Sequence, residues 1–210
     1  MPAAGKYHPT FCVTMICNPP TTNIKNILYI CKVKIRNKMD IAIMNGKEIV
    51  QKLGLLEHPE GGFYKETYRS TQSIEIDRNR SRNISTAIYF LLDNDNKSLF
   101  HRIQSDELWF FHQGESLEIV FIKDGVLNTI ILGNSFENGE ELQAIIPANT
   151  WFASGVKNLK GYSLVSCTVA PGFDFADFEL AKRENLIQEF PHLKETIKKF
   201  TRPSGYLLKK

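Results

Sequence analysis

From Gly61 onward apolar and polar residues alternate with a period of two, in short runs at 62–69, 84–92, 99–104, 107–112, 117–123, 126–132, 143–147, 150–153 and 161–170. Strict alternation sends successive side chains to opposite faces, so each run reads as a strand with one buried face. Turn-forming residues separate the runs, at 93–96, 112–114, 123–125, 137–139 and 157–158. Asp124 and Gly125, between two apolar runs, carry the strongest hairpin signal. About nine short strands at this spacing predict a sandwich or a barrel, with a jelly roll among the options. The period changes to 3.6 at both ends. Asn45 is placed to cap a short helix with Glu48 three residues on, Ile49, Val50 and Leu53 line one side, and Gly54 ends it. Beyond Pro171 and Gly172, residues Phe178, Leu180 and Ala181, then Leu186, Ile187 and Phe190, recur at helical spacing until Pro191 stops them. A last helix is expected from Leu193 to Phe200, and no internal repeat is found.

The helix start sets a domain boundary near residue 44. Charge is distributed unevenly about it: residues 1–40 carry six Lys/Arg and a single acid, Asp40, and the remainder carries twenty basic against twenty-two acidic residues. A nearly neutral body lacks the concentrated basic face that nucleic acid requires, so no nucleic-acid partner is expected. The longest apolar runs, 27–31 and 86–92, are far shorter than the roughly 20 residues of a membrane span. No membrane partner is expected either. Cys12, Cys17 and Cys31 lie in the leader without a C-x-x-C pair, and Cys167 sits in an apolar run, so neither a disulfide framework nor a zinc knuckle is implied. Residues 1–43 are read as a poorly ordered leader or a gene-model extension of a cytoplasmic protein. The acid-poor, basic leader leaves a mitochondrial transit peptide as the alternative.

The segment His101 to Gly114 narrows the fold. His101 lies six residues before Glu107, and six residues separate Glu107 from Gly114, while Ile103 stands two residues after His101. Downstream, Pro147 is followed five residues later by Phe152. This pattern resembles the two signatures of the cupin superfamily, with Ile103 and Phe152 where that superfamily has metal-ligating histidines. An ordered set of segments resembles the fifth cupin family in particular, a single-barrel branch catalogued as a domain of unknown function. They are His58–Phe63, Glu66–Ser70, Ser85–Leu92, His101–Arg102, Asp106–Trp109, Pro147–Ala148 with Trp151–Phe152, and Val169–Phe175. The resemblance implies an all-β, double-stranded β-helix (jelly-roll) barrel over residues 44–205, followed by a polar tail at 206–210, with C-terminal helices outside. It further implies a homodimer and a pocket inside the barrel.

If Glu107 points into the barrel, alternation carries Trp109 and Phe111 inward and His112 outward, and it places Tyr64, Glu66 and Tyr68 on one face. Glu66, Trp109, Phe111, Phe152 and Tyr89 are therefore expected to contact a small polar or aromatic ligand, against the plainer account that these aromatics only fill a core. No cofactor is expected. A divalent metal would have His101 and Glu107, short of the three protein ligands usual in catalytic sites, and no spacing argument singles out Glu66 or the Gln104 amide to complete the shell. A metal-free isomerase or epimerase is the enzymatic alternative, with His101 as base, Glu107 orienting it and Tyr68, or else Tyr89 or Tyr162, as proton donor. A metal-dependent cupin enzyme is the second alternative. Arg78, Arg80 and Arg82 are read as a solvated loop before a phosphate clamp, and His58 with Gly61 and Gly62 as turn formers.

Overall fold

The computed structural model describes residues 45–203 apart from 95, 159 and 160. The expected leader at 1–43 and tail at 206–210 lie outside the described residues. Asn45 caps helix α1 (Gly46–Leu53): its side chain accepts from the Glu48 N–H, and Glu48 reaches back to the Asn45 N–H. The strands that follow are β1 (Leu56–Glu57), β2 (Phe63–Arg69), β3 (Ser73–Asp77), β4 (Arg80–Asn83), β5 (Thr86–Asp93), β6 (Ser98–Arg102) and β7 (Asp106–Gly114). After them come β8 (Leu117–Lys123), β9 (Val126–Leu132), β10 (Gln143–Ile146), β11 (Trp151–Val156), β12 (Tyr162–Ala170) and β13 (Glu179–Leu180). Helices α2 (Arg183–Glu189) and α3 (Lys194–Lys199) close the order.

Two antiparallel sheets face each other as a jelly roll. One has the order β1-β2-β5-β12-β7-β10 and the other β13-β6-β11-β8-β9. Phe90, Trp109, Ile146 and Val165 from the first sheet meet Ile119, Leu132, Phe152 and Val156 from the second in the main core. The helices cover part of the outer face of each sheet. Ile49 of α1 packs on Leu91 and Leu164 of the first sheet, while Leu186 of α2 and Ile197 of α3 pack on Phe100 and Trp151 of the second. No helix among the described residues is long and apolar enough to cross a membrane.

Two segments depart from the expectation. Glu179 and Leu180 pair with Arg102 and His101 as β13 instead of starting a helix, because the edge of β6 offers them backbone partners. Residues 73–83 form the β3–β4 hairpin, whose five β3 residues are all exposed, so the alternation of Ile74 and Ile76 with polar neighbours marks no buried face.

Candidate functional site

A cavity of about 340 Å³ opens between the two sheets. Its walls come from β2 (Tyr64, Glu66, Arg69), β5 (Thr86, Ile88, Phe90), β6 (His101), β7 (Glu107, Trp109) and β12 (Cys167, Val169), together with Ile103. The turn at 58–60 supplies His58 and Glu60, and the segment 173–178 supplies Phe173, Asp174, Phe175 and Phe178. Apolar surface with a few convergent polar groups is the usual make-up of a small-molecule site.

The polar floor is organised by Glu60, which sits between the turn formers His58, Pro59, Gly61 and Gly62. The Leu99 N–H donates to the Glu60 carbonyl at 2.9 Å and seats the turn on β6. The carboxyl of Glu60 is thereby delivered to Ser98, whose hydroxyl donates to Oε1 at 2.8 Å, and to His101, whose Nε2 lies 3.1 Å from Oε2. His58 Nδ1 lies 3.4 Å from the same Oε2. The Nδ1 of His101 is 2.7 Å from the Leu99 carbonyl, which can only accept, so Nδ1 carries the proton and Nε2 is left as acceptor. Burial pushes the His101 pKa down to about 3 and that of His58 to about 4. Burial, reinforced by the nearby Glu107, raises Glu60 well above the usual carboxylate range against the opposing Ser98 bond. With Nε2 an acceptor 3.1 Å from Oε2, one proton must lie between them. Burial, which raises the acid and lowers the imidazole, places it on Glu60 as a carboxylic acid donating to a neutral imidazole, the arrangement that avoids isolated charge in a dry site.

Glu107 stands apart from this pair. The expectation that it orients His101 is corrected: Glu60 fills that role, reached from a turn 41 positions earlier in the chain. Burial raises Glu107 to about 7, with the Cys167 thiol and the Trp109 indole opposing the shift. Burial also pushes the Cys167 thiol well up, which makes it an inert wall group.

The residues present do not fit a cupin metal. Phe152 pairs with His101 across β6 and β11, and their ring centroids are 4.1 Å apart. Ile103 lines the cavity at the other ligand position. Hydrocarbon therefore occupies two of the places where the superfamily has donors. Among the described residues, no three His, Cys, Asp or Glu side chains are grouped so as to hold a metal ion.

The three tyrosines expected as proton donors lie elsewhere. Strand β2 pairs Glu66 with Ile88 but Tyr68 with Ala87, leaving Thr67 as a bulge residue. One extra residue inverts the faces beyond it. Tyr68 is consequently turned outward and 54 % exposed, and Arg69 takes the inward position after Tyr64 and Glu66. Tyr89 is on the outer face of β5 against His112. Tyr162 is buried under α1 and bonded to Gln113. Phe111 and Phe152 belong to the packed core and not to the cavity wall, whereas Glu66 and Trp109 line the cavity.

The segment 173–178 covers one side of the cavity and is latched from outside. The Arg82 guanidinium donates to both carboxylate oxygens of Asp177, at 2.6 and 2.9 Å, and Arg80 reaches the same Asp177. The basic hairpin thus holds a structural carboxylate, and neither a phosphate clamp nor a freely solvated loop describes it. Arg82→Ala is expected to speed amide hydrogen exchange at Asp177 and Phe178 while leaving β7 and β12 protected. Unchanged exchange there would show that the Thr86 hydroxyl, which accepts from the Phe173 N–H at 2.9 Å, suffices as anchor.

A family model described as Cupin superfamily (DUF985) matches residues 47–181. The chain belongs to this cupin family. An uncharacterised protein of Saccharomyces cerevisiae is 29% identical to it over 161 residues, covering 70% of this chain and 79% of the relative. Among solved structures, a hypothetical protein from Leishmania major is 34% identical with a TM-score of 0.72, covering 76% of this chain and 100% of that one. A protein from Shewanella oneidensis is 40% identical, again with a TM-score of 0.72, covering 77% and 100%. Membership of this cupin family brings a fold, but a fold does not specify a reaction.

Proposed function

We propose that the chain binds a small metabolite with polar and aromatic character inside its barrel. The observation that carries this reading is the 340 Å³ cavity, into which buried acid and base side chains with displaced pKa values converge. Such convergence in a cleft is a mark of functional sites. Native mass spectrometry of the full chain, purified without a metal-affinity step and paired with metal analysis, tests it. The expected result is a co-purifying organic molecule at about one per protomer, without stoichiometric iron, manganese or zinc, and an assembly of two protomers as family likeness suggests. Stoichiometric metal would overturn the reading of Ile103 and Phe152.

A metal-independent proton-transfer reaction is the second reading, favoured by one observation: Glu107 is buried in the cavity wall with a pKa of about 7. A group poised there serves as acid or base near neutral pH. The roles differ from those expected from sequence. His101 spends its Nε2 on Glu60, so Glu107 is the residue for the exchanging proton, and Tyr64 replaces Tyr68 as the tyrosine of the cavity.

A further inference from the structure

Three features of the cavity wall bear on the charge of what it accepts. Its ionisable groups are mostly acids: Glu60, Glu66, Glu107 and Asp174 line it against a single guanidinium, Arg69. That guanidinium is already committed, donating to both carboxylate oxygens of Glu66 at 2.9 and 2.6 Å. The two innermost carboxyls, Glu60 and Glu107, are buried, and the basic side chains beside them, His58 and His101, are neutral imidazoles. The remaining wall is largely aromatic, with Trp109, Phe90 and the rings of segment 173–178. Ring faces attract cations, and a buried carboxyl ionises at low cost only when a cation arrives beside it.

We infer that the cavity receives a small organic cation, a protonated amine or amidine carried on an apolar or aromatic body, with Glu107 as its counter-ion. This rests on the ligand-binding reading above and narrows it. Trp109 bears on the same carboxyl. Its indole N–H is buried, has no partner at full hydrogen-bond geometry, and lies close enough to Glu107 to favour the ionised form of that carboxyl. It is a donor held ready for the carboxylate that a bound cation creates. An anionic ligand, a nucleotide sugar included, would meet two buried carboxyls and no uncommitted cation among the lining residues.

Benzamidinium, benzamide and benzoate share one shape and differ in charge, so their binding to the full chain by ligand-observed NMR titration isolates the charge preference. Benzamidinium is expected to bind at least about tenfold more tightly than the other two, a difference that one desolvated charge pair readily supplies. Glu107→Gln should remove that preference. The wild-type protein gives a second readout that does not depend on the variant folding. Glu107 titrates at about 7, and it faces Cys167 of β12, Trp109 of its own strand and Glu60 of the turn, with Glu66, Arg69 and Asp174 at the rim. Lowering the pH from 8 to 6 protonates it and should weaken benzamidinium binding about tenfold. Tighter binding of benzoate or benzamide, or benzamidinium binding that ignores both pH and Glu107→Gln, would overturn the cation assignment while leaving a binding cavity. Failure of all three probes to bind, with no co-purifying molecule, would overturn the cavity reading as well.

Discussion

Gly61→Ala is expected to destabilise the protein by roughly 3 kcal/mol or more, lowering the melting temperature by about 6–12 °C for a domain of this size. Gly61 has φ 109, a backbone conformation closed to side-chain-bearing residues, and a Cβ there would be driven into the carbonyl oxygen of Lys97. A backbone oxygen cannot swing aside as a side-chain tip can. Either the turn at 58–62 lifts from the start of β6 or the strand bends, and in both cases the Leu99 N–H loses the Glu60 carbonyl. Ser98 and His101 then lose the carboxyl that joins them. Gly125 is the control. Its φ is 75, and a Cβ there meets nothing within 4 Å, so Gly125→Ala should cost only the conformational part, about 1 kcal/mol. Thermal unfolding of both variants separates strain from collision. Equal losses would mean that the close approach to Lys97 is relieved without cost.

The same turn shows what was and was not legible in the sequence. The capping box at Asn45 and Glu48 and the two-residue hairpin at Asp124 and Gly125 could be read because each is fixed by neighbours within a few residues. The nine runs were legible because apolar and β-branched residues collect between turn formers, even in β11, where every residue is buried. Glu60 was not. Its neighbours His58, Pro59, Gly61 and Gly62 announce a turn, and its role arises from Ser98 and His101, some 40 positions on, which meet it only when β6 is laid beside the turn. A signal existed in the sense that Glu60 is an acid between turn formers, but nothing local distinguishes such an acid from a solvated one.

The bulge in β2 is a different kind of limit. Alternation assigns Tyr64, Glu66 and Tyr68 to one face as long as the ladder is regular, and a single extra residue at Thr67 transfers the inward position to Arg69. The aromatic residue at 68 and the cation at 69 are both plausible strand residues, so composition does not mark the break. The chemical consequence is large. A phenol that would have served as proton donor is replaced at the cavity by an arginine locked to Glu66. The β3–β4 hairpin escaped for a related reason: its stabilising contacts are ion pairs from Arg80 and Arg82 to Asp77 and Asp177, and a run of charges reads as solvated until its partners are placed.

The buried cluster predicts an unusual dependence of stability on pH. His58 and His101 have folded pKa values lowered from 6.5 to about 4 and about 3, so the folded state binds fewer protons than the unfolded one. Their contribution is present above 6.5 and is lost as pH falls through that window. Glu107 is raised from 4.5 to about 7 and Glu60 is raised as well, so the folded state holds protons that the unfolded state releases. Their contribution is present below 4.5 and is lost as pH rises. Between 4.5 and 6.5 the two pairs oppose each other, and the wild-type cluster should give a nearly flat stability profile. Above 6.5 only the carboxyls act and stability should decline. Below 4.5 the histidines act alone, joined by Asp77 and Glu140, whose pKa values are lowered by hydrogen bonds, and stability should decline there too.

The double substitution Glu60→Gln/Glu107→Gln separates the pairs. A glutamine in place of Glu60 can keep the hydrogen bonds of a protonated carboxyl, its amide donating to His101 and its carbonyl accepting from Ser98. Without the two acids the histidines are unopposed, each contributing up to about 1.4 kcal/mol per pH unit. The variant should therefore gain on the order of 4 kcal/mol between pH 4.5 and 6.5, where the wild type is flat. Urea unfolding across that range measures the difference. A wild-type profile that climbs through the same window would mean that Glu60 and Glu107 are ionised in the folded protein. The cavity floor would then be an anion already held by some other cation, and the neutral acid and imidazole assigned to Glu60 and His101 would have to be abandoned.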